Sequence, residues 1–399
     1  MMNKTIANEG NMNFFSMKLI ALLSVALVVN SAPAISANIP AITQHFSEIN
    51  PVYVGLLTTI PSLFLVMGVF LTSSIEKQIG KKYTIMTGLL IVGIFGTLPT
   101  WYQGSFAILF LSRCLLGLGI GLFNRLLIQM ISQLFQKDNL KKAKALGLES
   151  ACEGLGGIFM TIAVGQLIKI NWESSFLVYG FAIISLVIVF LVIPNENLTH
   201  DTKEADVESS ISSERKIKSI LLGMVLFCIV LLFINYNLQI TPLLIEQGIG
   251  DATNGSNMIA AIATGAFIAG NLFGATYHYL QRWLLPLAAF VAGGSIFLTS
   301  WSTSVNFTLF CSLLLGFAFR NIMPYFMHTF TTGGEAVAKF GTTVVLVAYN
   351  LGATLAPYAS QAMFLMSGDV SARNQIIITG LALGSIGLII LIFNKYMTV

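Results

Sequence analysis

The chain has 399 residues, 55% of them apolar and only 10% charged, with a mean hydropathy of +0.81. Soluble domains carry roughly 25% charged residues, so this composition excludes a water-solvated globular protein. No nucleic-acid partner follows from the formal net charge of +4, which is explained by where the loop charges fall, and Cys114, Cys152, Cys228 and Cys311 all sit inside apolar runs, as small hydrophobes rather than a disulfide or metal framework.

In chain order the apolar runs are Met17 to Asn38, Tyr53 to Ile75, Tyr83 to Trp101, Phe106 to Phe135, Ala145 to Ile168 and Ser175 to Ile193. After a polar stretch come Ser219 to Ile245, Ser256 to Tyr279, Trp283 to Trp301, Phe307 to Phe330, Gly341 to Met366 and Gln375 to Phe393. A run of about 20 apolar residues spans a bilayer. Because each run is nearly continuously apolar, its backbone groups must pair within the segment, which requires helices rather than barrel strands. The expected fold class is all-α membrane protein, with twelve transmembrane helices in two pseudo-symmetric six-helix bundles. Leu19 to Val29 followed by Ser31, Ala32, Pro33 and Ala34 has the look of a signal-peptide core. The run stays apolar through Ile39, so a retained first helix is expected.

Lys and Arg set the orientation. With the amino terminus inside, the cytoplasmic segments hold Lys4, Lys18, Lys77, Lys81, Lys82, Lys137, Lys141, Lys142, Lys144, Lys203, Arg215, Lys216, Lys218, Arg282, Lys339 and Lys395, against Lys169 and Arg373 outside. Sixteen against two is a positive-inside pattern kept loop by loop. The expected organisation is therefore a cytoplasmic tail over 1–16, a bundle over 17–194, a cytoplasmic linker over 195–218, a second bundle over 219–394 and a cytoplasmic tail over 395–399, in a cell-membrane protein. The linker's mixed charges and serines lack apolar periodicity.

Ile108 to Asn124 (ILFLSRCLLGLGIGLFN) in the fourth run is similar to Phe307 to Asn321 (FTLFCSLLLGFAFRN) in the tenth, aligning Gly117 with Gly316 and placing Arg320 opposite Gly121. Duplicated halves are how many transporters are built. The loop Glu76 to Lys82 (EKQIGKK) resembles the short basic loop between helices two and three of the major facilitator superfamily, with Gly80, Lys81 and Lys82 in place. The family's aspartate position falls on Lys77, with Glu76 one place early. SRCLLGLGIG resembles the family's Arg-x-x-x-Gly-x-Gly pattern and places Arg113, Gly117, Gly119 and Gly121; NWESSF (Asn171 to Phe176) resembles its aromatic start to helix six. The fifth run, GLESACEGLGG, lacks the Gly-Pro pair typical of drug antiporters. A fainter likeness to cyanate-permease-type members is carried by GLLTTIPSLF (Gly55 to Phe64), QIGKK and GIGLFN. The resemblance implies secondary transport by alternating access, with the Gly80 loop as a gating element.

Ionisable groups at membrane depth are costly, on the order of 2.5 to 3.5 kcal/mol each at a helix centre. Five are expected: Arg113, Arg125, Glu149, Glu153 and Arg320. Counting helical rise from the cytoplasmic ends puts Arg125 and Glu153 level, roughly 12 to 15 Å in, and Glu149 stacks one turn from Glu153. This cluster reads equally as a structural clamp or as a proton-coupling site, since two adjacent carboxylates cannot both ionise cheaply, and Arg113 on the fourth run is counted with the coupling residues. The nearest acidic residue after Arg320 is Glu335, in the following loop, so Arg320 is expected to face water or an anionic group. Asn30, Asn124, Asn235, Asn237, Gln239, Asn271, Asn321, His328 and Asn350 more often bond a neighbouring helix. Of these, Asn30, Asn237, Asn321 and Asn350 are the substrate-binding candidates, with Arg125 and Arg320.

Nothing in the sequence matches a His-Glu-x-x-His metal pair, a Walker loop or a strand-preceded dinucleotide fingerprint. The expectation is a transporter rather than an enzyme, without cofactor. It is monomeric in the lipid bilayer, moves a small-molecule substrate and is driven by protons or another coupling ion. Efflux of a drug-like compound or metabolite, a small organic anion permease and a transport-inactive membrane sensor are the alternatives. The carboxylates favour the first and the arginines the second.

Overall fold

A computed structural model describes residues 17–135, 139–194, 213–331 and 335–393. The expected tails, the linker as far as residue 212, and Lys137 lie outside them. The helices are α1 (17–29), α2 (Ile39–His45), α3 (Pro51–Trp101), α4 (Phe106–Leu134), α5 (Asn139–Leu167), α6 (Phe181–Val192), α7 (Ser213–Glu246), α8 (Ala252–Leu280), α9 (Leu284–Thr299), α10 (Val305–Thr331), α11 (Glu335–Ser367) and α12 (Ala372–Phe393). No strand occurs among the described residues.

All twelve predicted runs fall on helical structure. Nine stretches of the described residues are long and apolar enough to cross a membrane. Pro51–Trp101 and Ala252–Thr299, of 51 and 48 residues, each cover two predicted runs. The predicted fifth run, on α5, is not among the nine; its glycines and two glutamates lower its hydropathy.

Three local expectations are corrected. The first run is not one continuous helix: α1 ends in a turn at Asn30 and Ser31, and a 3₁₀ segment, Ala32–Asn38, leads into α2. Pro33 has no N–H to continue the α-helical ladder. The sixth run likewise begins with a 3₁₀ segment, Glu173–Gly180. The loop expected over Glu76 to Lys82 is helical apart from Gly80, whose φ of 81° and ψ of 165° only glycine adopts without strain.

Packing groups the chain into two compact units, each discontinuous in sequence. The first combines Met1–Ala32, Phe64–Met160 and Phe176–Thr202, and the second combines Pro33–Leu63, Thr161–Ser175 and Lys203–Val399. Lipid offers no hydrophobic drive between helices, and inside each unit glycines let neighbouring backbones approach closely.

In the first unit, α3 before its kink meets α4 through a reciprocal clasp. A Cβ on Gly121 would collide with the Leu65 carbonyl oxygen, and one on Gly68 with that of Leu118. After the kink the same helices meet through Gly88 and Gly119, where an added Cβ would stand 2.6 Å and 2.7 Å from the opposite carbonyl oxygen. Gly156 of α5 presses on the backbone of Leu27 in α1.

In the second unit, α8 and α10 form the same clasp, Gly265 against the Leu313 carbonyl and Gly316 against that of Ile262. Gly352 of α11 meets α7, with an added Cβ 2.7 Å from the Phe227 carbonyl oxygen. Helix ends are closed locally. Asp251 and Asn254 exchange side-chain bonds with each other's backbone N–H at 2.8 and 3.1 Å at the start of α8. The Glu246 carboxylate accepts the Ala372 N–H at 2.9 Å at the start of α12.

Candidate functional site

Glu149 and Glu153 sit one helical turn apart on α5, so their side chains stack on one face. Glu149 is buried at 5% exposure, and its Oε1 has no hydrogen-bond partner among the described residues. On the next turns of α5, Gly156 and Gly157 bring the helix against Leu27 and Asn30. Asn30 itself is exposed.

Arg125, on α4 and exposed, donates from Nη1 to the Ser73 hydroxyl of α3 at 3.2 Å. Arg113 lies three turns earlier on the same helix in a different environment. It is fully buried, with its guanidinium carbon 5.0 Å from the Phe176 ring centre and 4.7 Å from that of Tyr179. Its Nη2 donates to the Gly96 and Phe95 carbonyls at 3.0 and 3.3 Å, and Nη1 has no partner among the described residues. The Tyr179 hydroxyl lies 3.3 Å from the Ser31 carbonyl, one of those freed where α1 ends. Arg113 thus packs as a brace between α4, α3 and the start of α6.

In the predicted gating loop, Lys81 donates to Gln133 of α4 at 2.9 Å and stands 4.0 Å from the Glu76 carboxylate. Lys82 donates to the Phe190 carbonyl near the carboxy end of α6 at 3.0 Å, where a cation complements the helix dipole. Lys77 is exposed.

In the second unit Arg320 is exposed on α10, and its Nε lies 3.6 Å from where a Cβ on Gly270 of α8 would stand. The neighbouring Asn321 is buried and engaged, donating to the Phe317 carbonyl and accepting from Thr276, both at 2.8 Å. Asn350 donates to the Leu346 carbonyl of its own helix at 2.8 Å. Asn237 is half-buried on α7, and its Oδ1 has no partner among the described residues. The side chain of His328 lies outside the described residues.

The structure overturns one detail of the internal repeat. The register that lays the clasp Leu118 and Gly121 on Leu313 and Gly316 also lays Arg125, not Gly121, on Arg320. Sequence similarity aligned Gly117 with Gly316 instead, because glycines recur along α4. Ser73, Gly270 and Tyr349 received no site role from sequence reasoning. The signal that locates Ser73 and Gly270 is the reciprocal glycine spacing on α3, α4, α8 and α10, which acquires meaning only when the contacts are known.

The family model described as Major Facilitator Superfamily matches residues 19–357. The Multidrug efflux protein YfmO of Bacillus subtilis (strain 168) is 30% identical over 180 residues, which cover 44% of this chain and 41% of that protein. Among solved structures, a POT family transporter in complex with a thioalcohol conjugated peptide has a TM-score of 0.74 at 13% identity, covering 96% of this chain and 97% of that one. The peptide transporter POT in complex with sulfate has a TM-score of 0.72 at 13% identity, covering 95% and 94%. These two likenesses are of fold.

Proposed function

The chain belongs to the major facilitator superfamily, and from that premise we propose that it is a secondary active transporter that moves a small solute by alternating access, coupled to protons. It works as a multi-pass protein of the cell membrane with both termini cytoplasmic, as a monomer, and its six-helix halves over 17–194 and 219–394 are the duplicated units of transport. Export of a drug-like compound or metabolite is the preferred direction, and the partial likeness to a multidrug efflux protein supports it.

The observation that carries proton coupling is the stacking of Glu149 and Glu153 one helical turn apart on α5, with Glu149 buried at 5% exposure and its Oε1 without a hydrogen-bond partner among the described residues. Two carboxyl groups stacked one turn apart do not both ionise cheaply, because like charges at close range repel and burial penalises the charged form, so the pair favours holding a proton. Such a pair takes up a proton from the acidic side and gives it up on the other. Arg125 at a similar depth sets the field in which the proton is held, and the orphaned Oε1 of Glu149 is where a proton or the water that carries it attaches.

Proteoliposomes test this with a panel of labelled drugs and organic acids under an imposed pH gradient. Glu149→Gln, Glu153→Gln and the double variant are compared with the parent chain. The expected result is loss of gradient-driven transport in the double variant and in one single variant, with solute exchange retained. Transport in the parent should rise as the proton-supplying side is acidified. Full gradient-driven transport by the double variant would overturn the reading.

A further inference from the structure

In the second unit, α7 carries five polar side chains in one short stretch: Asn235, Tyr236, Asn237, Gln239 and Thr241. Three of the five are spent on other helices. Asn235 bonds Thr379 of α12 and Ser360 of α11, Tyr236 shares hydrogen bonds with Thr299 of α9 and Ser312 of α10, and Gln239 reaches Ser360 and Gln375. Asn237 and Thr241 are the exceptions. They stand one turn apart, at i and i+4, and so share a face of α7. The Asn237 Oδ1 and the Thr241 Oγ1 are both buried without a hydrogen-bond partner among the described residues, and Thr241 is 0% exposed. Thr241 is turned to α8, because a Cβ on Gly255 would collide with its hydroxyl.

A third oxygen joins them from the backbone. Pro242 lies inside α7 and has no N–H, so the Leu238 carbonyl, four residues earlier, loses the donor that the helical ladder supplies elsewhere. An amide oxygen, a backbone carbonyl and a hydroxyl are thus gathered on one turn. No basic side chain competes for them: α7 has no Lys, Arg or His after Lys218, and on α8 only His278 occurs, near the far end. The nearby carboxylates are committed, Glu246 to the Ala372 N–H and Asp251 to the Asn254 N–H. Buried oxygens without a donor are costly, so this turn calls for a ligand that is itself electron-poor.

We propose that the turn from Asn237 to Thr241 of α7 is a binding site for a monovalent metal cation of sodium size, held by the Asn237 Oδ1, the Leu238 carbonyl and the Thr241 Oγ1. Hard cations take oxygen ligands of these kinds, and water completes the coordination past Asn237, which is half-buried rather than closed off. A divalent ion is disfavoured, because calcium sites draw on carboxylates and none is free on this turn. Interrupted helices expose carbonyls to ions in this way in transporters. The assignment stands on residues of the second unit alone and does not depend on the proton-coupling reading.

Binding is measured directly. The purified full chain in lipid nanodiscs is equilibrated in choline chloride, and sodium chloride replaces it at constant ionic strength while melting temperature and calorimetric binding are followed. Sodium should raise the melting temperature saturably, and potassium should do so less at equal concentration. Thr241→Val keeps the shape, removes the hydroxyl and should weaken sodium about tenfold. Pro242→Ala returns an N–H to the Leu238 carbonyl and should also weaken sodium about tenfold, while the sodium-free melting temperature stays the same or rises. That split marks a lost ligand, since damage to the scaffold would lower both. Asn271→Ala, at an exposed position of α8, should leave the titration unaltered. Should Thr241→Val fail to fold, Pro242→Ala decides alone, because it restores a helical bond rather than removing one. A parent chain indifferent to sodium, an equal response to potassium, or parental sodium affinity in folded Pro242→Ala would each overturn the assignment.

Discussion

Asn235 of α7 donates from Nδ2 to the Thr379 hydroxyl of α12 at 2.8 Å while its Oδ1 accepts from Ser360 of α11. One turn along, Gln239 reaches Ser360 at 3.0 Å and Gln375 at 2.9 Å, so an uncharged polar belt ties three helices of the second unit. Interhelical hydrogen bonds in membranes are worth about 0.6 kcal/mol each on average, and a buried polar group left unpaired costs about 1 to 3 kcal/mol. Asn235→Leu removes both a donor and an acceptor and should lower the melting temperature of the purified protein more than Thr379→Val, which removes one hydroxyl. Equal effects would mean that the belt contributes nothing through Ser360.

The glycine clasps make a sharper contrast. Gly316→Ala drives a methyl group into the Ile262 carbonyl and should destabilise by about 1 to 3 kcal/mol, the usual range for overpacking. Gly294 and Gly384 have no atom within 4 Å of an added Cβ. Gly294→Ala should therefore be neutral or gain about 0.5 to 1 kcal/mol from helix propensity. Thermal unfolding of the two variants in one detergent would separate close approach from simple flexibility.

Arg113 should not tolerate lysine. The planar guanidinium lies against Phe176 and Tyr179 while one nitrogen serves two carbonyls, a geometry that a point-charge ammonium cannot reproduce. Arg113→Lys should cost about 2 kcal/mol or more, since a buried cation would then be left with fewer partners. Rescue of Arg113→Lys to parental melting temperature would show that charge alone is needed there.

Topology is tested by fusion. A reporter placed after Ser209 or Val399 should report cytoplasm, and one placed at Gly104 or Gly250 should report the outside, from the sixteen-to-two distribution of loop Lys and Arg. An external signal from Ser209 would invert the assignment of every loop.

The sequence alone determined that this is a helical membrane chain of repeated apolar runs, because hydrocarbon admits only segments that satisfy their own backbone, and that requirement is written locally in each run. It also singled out Arg125, Glu149, Glu153 and Arg320, since a charge at membrane depth stands out in any register. Tertiary structure decided what those charges face. Arg113 packs as a brace because Phe176 and Tyr179, far along the chain, close over it. Asn321 and Asn350 spend their amides on nearby groups of their own unit. The match of Arg125 to Arg320 is set by which glycine of α4 and of α10 touches the neighbouring helix, a fact of contact that α4, with glycines at 117, 119 and 121, leaves open in one dimension. A helix repeats every few residues, so its own sequence permits several equivalent registers, and only the partner backbone that a Cβ would strike selects one.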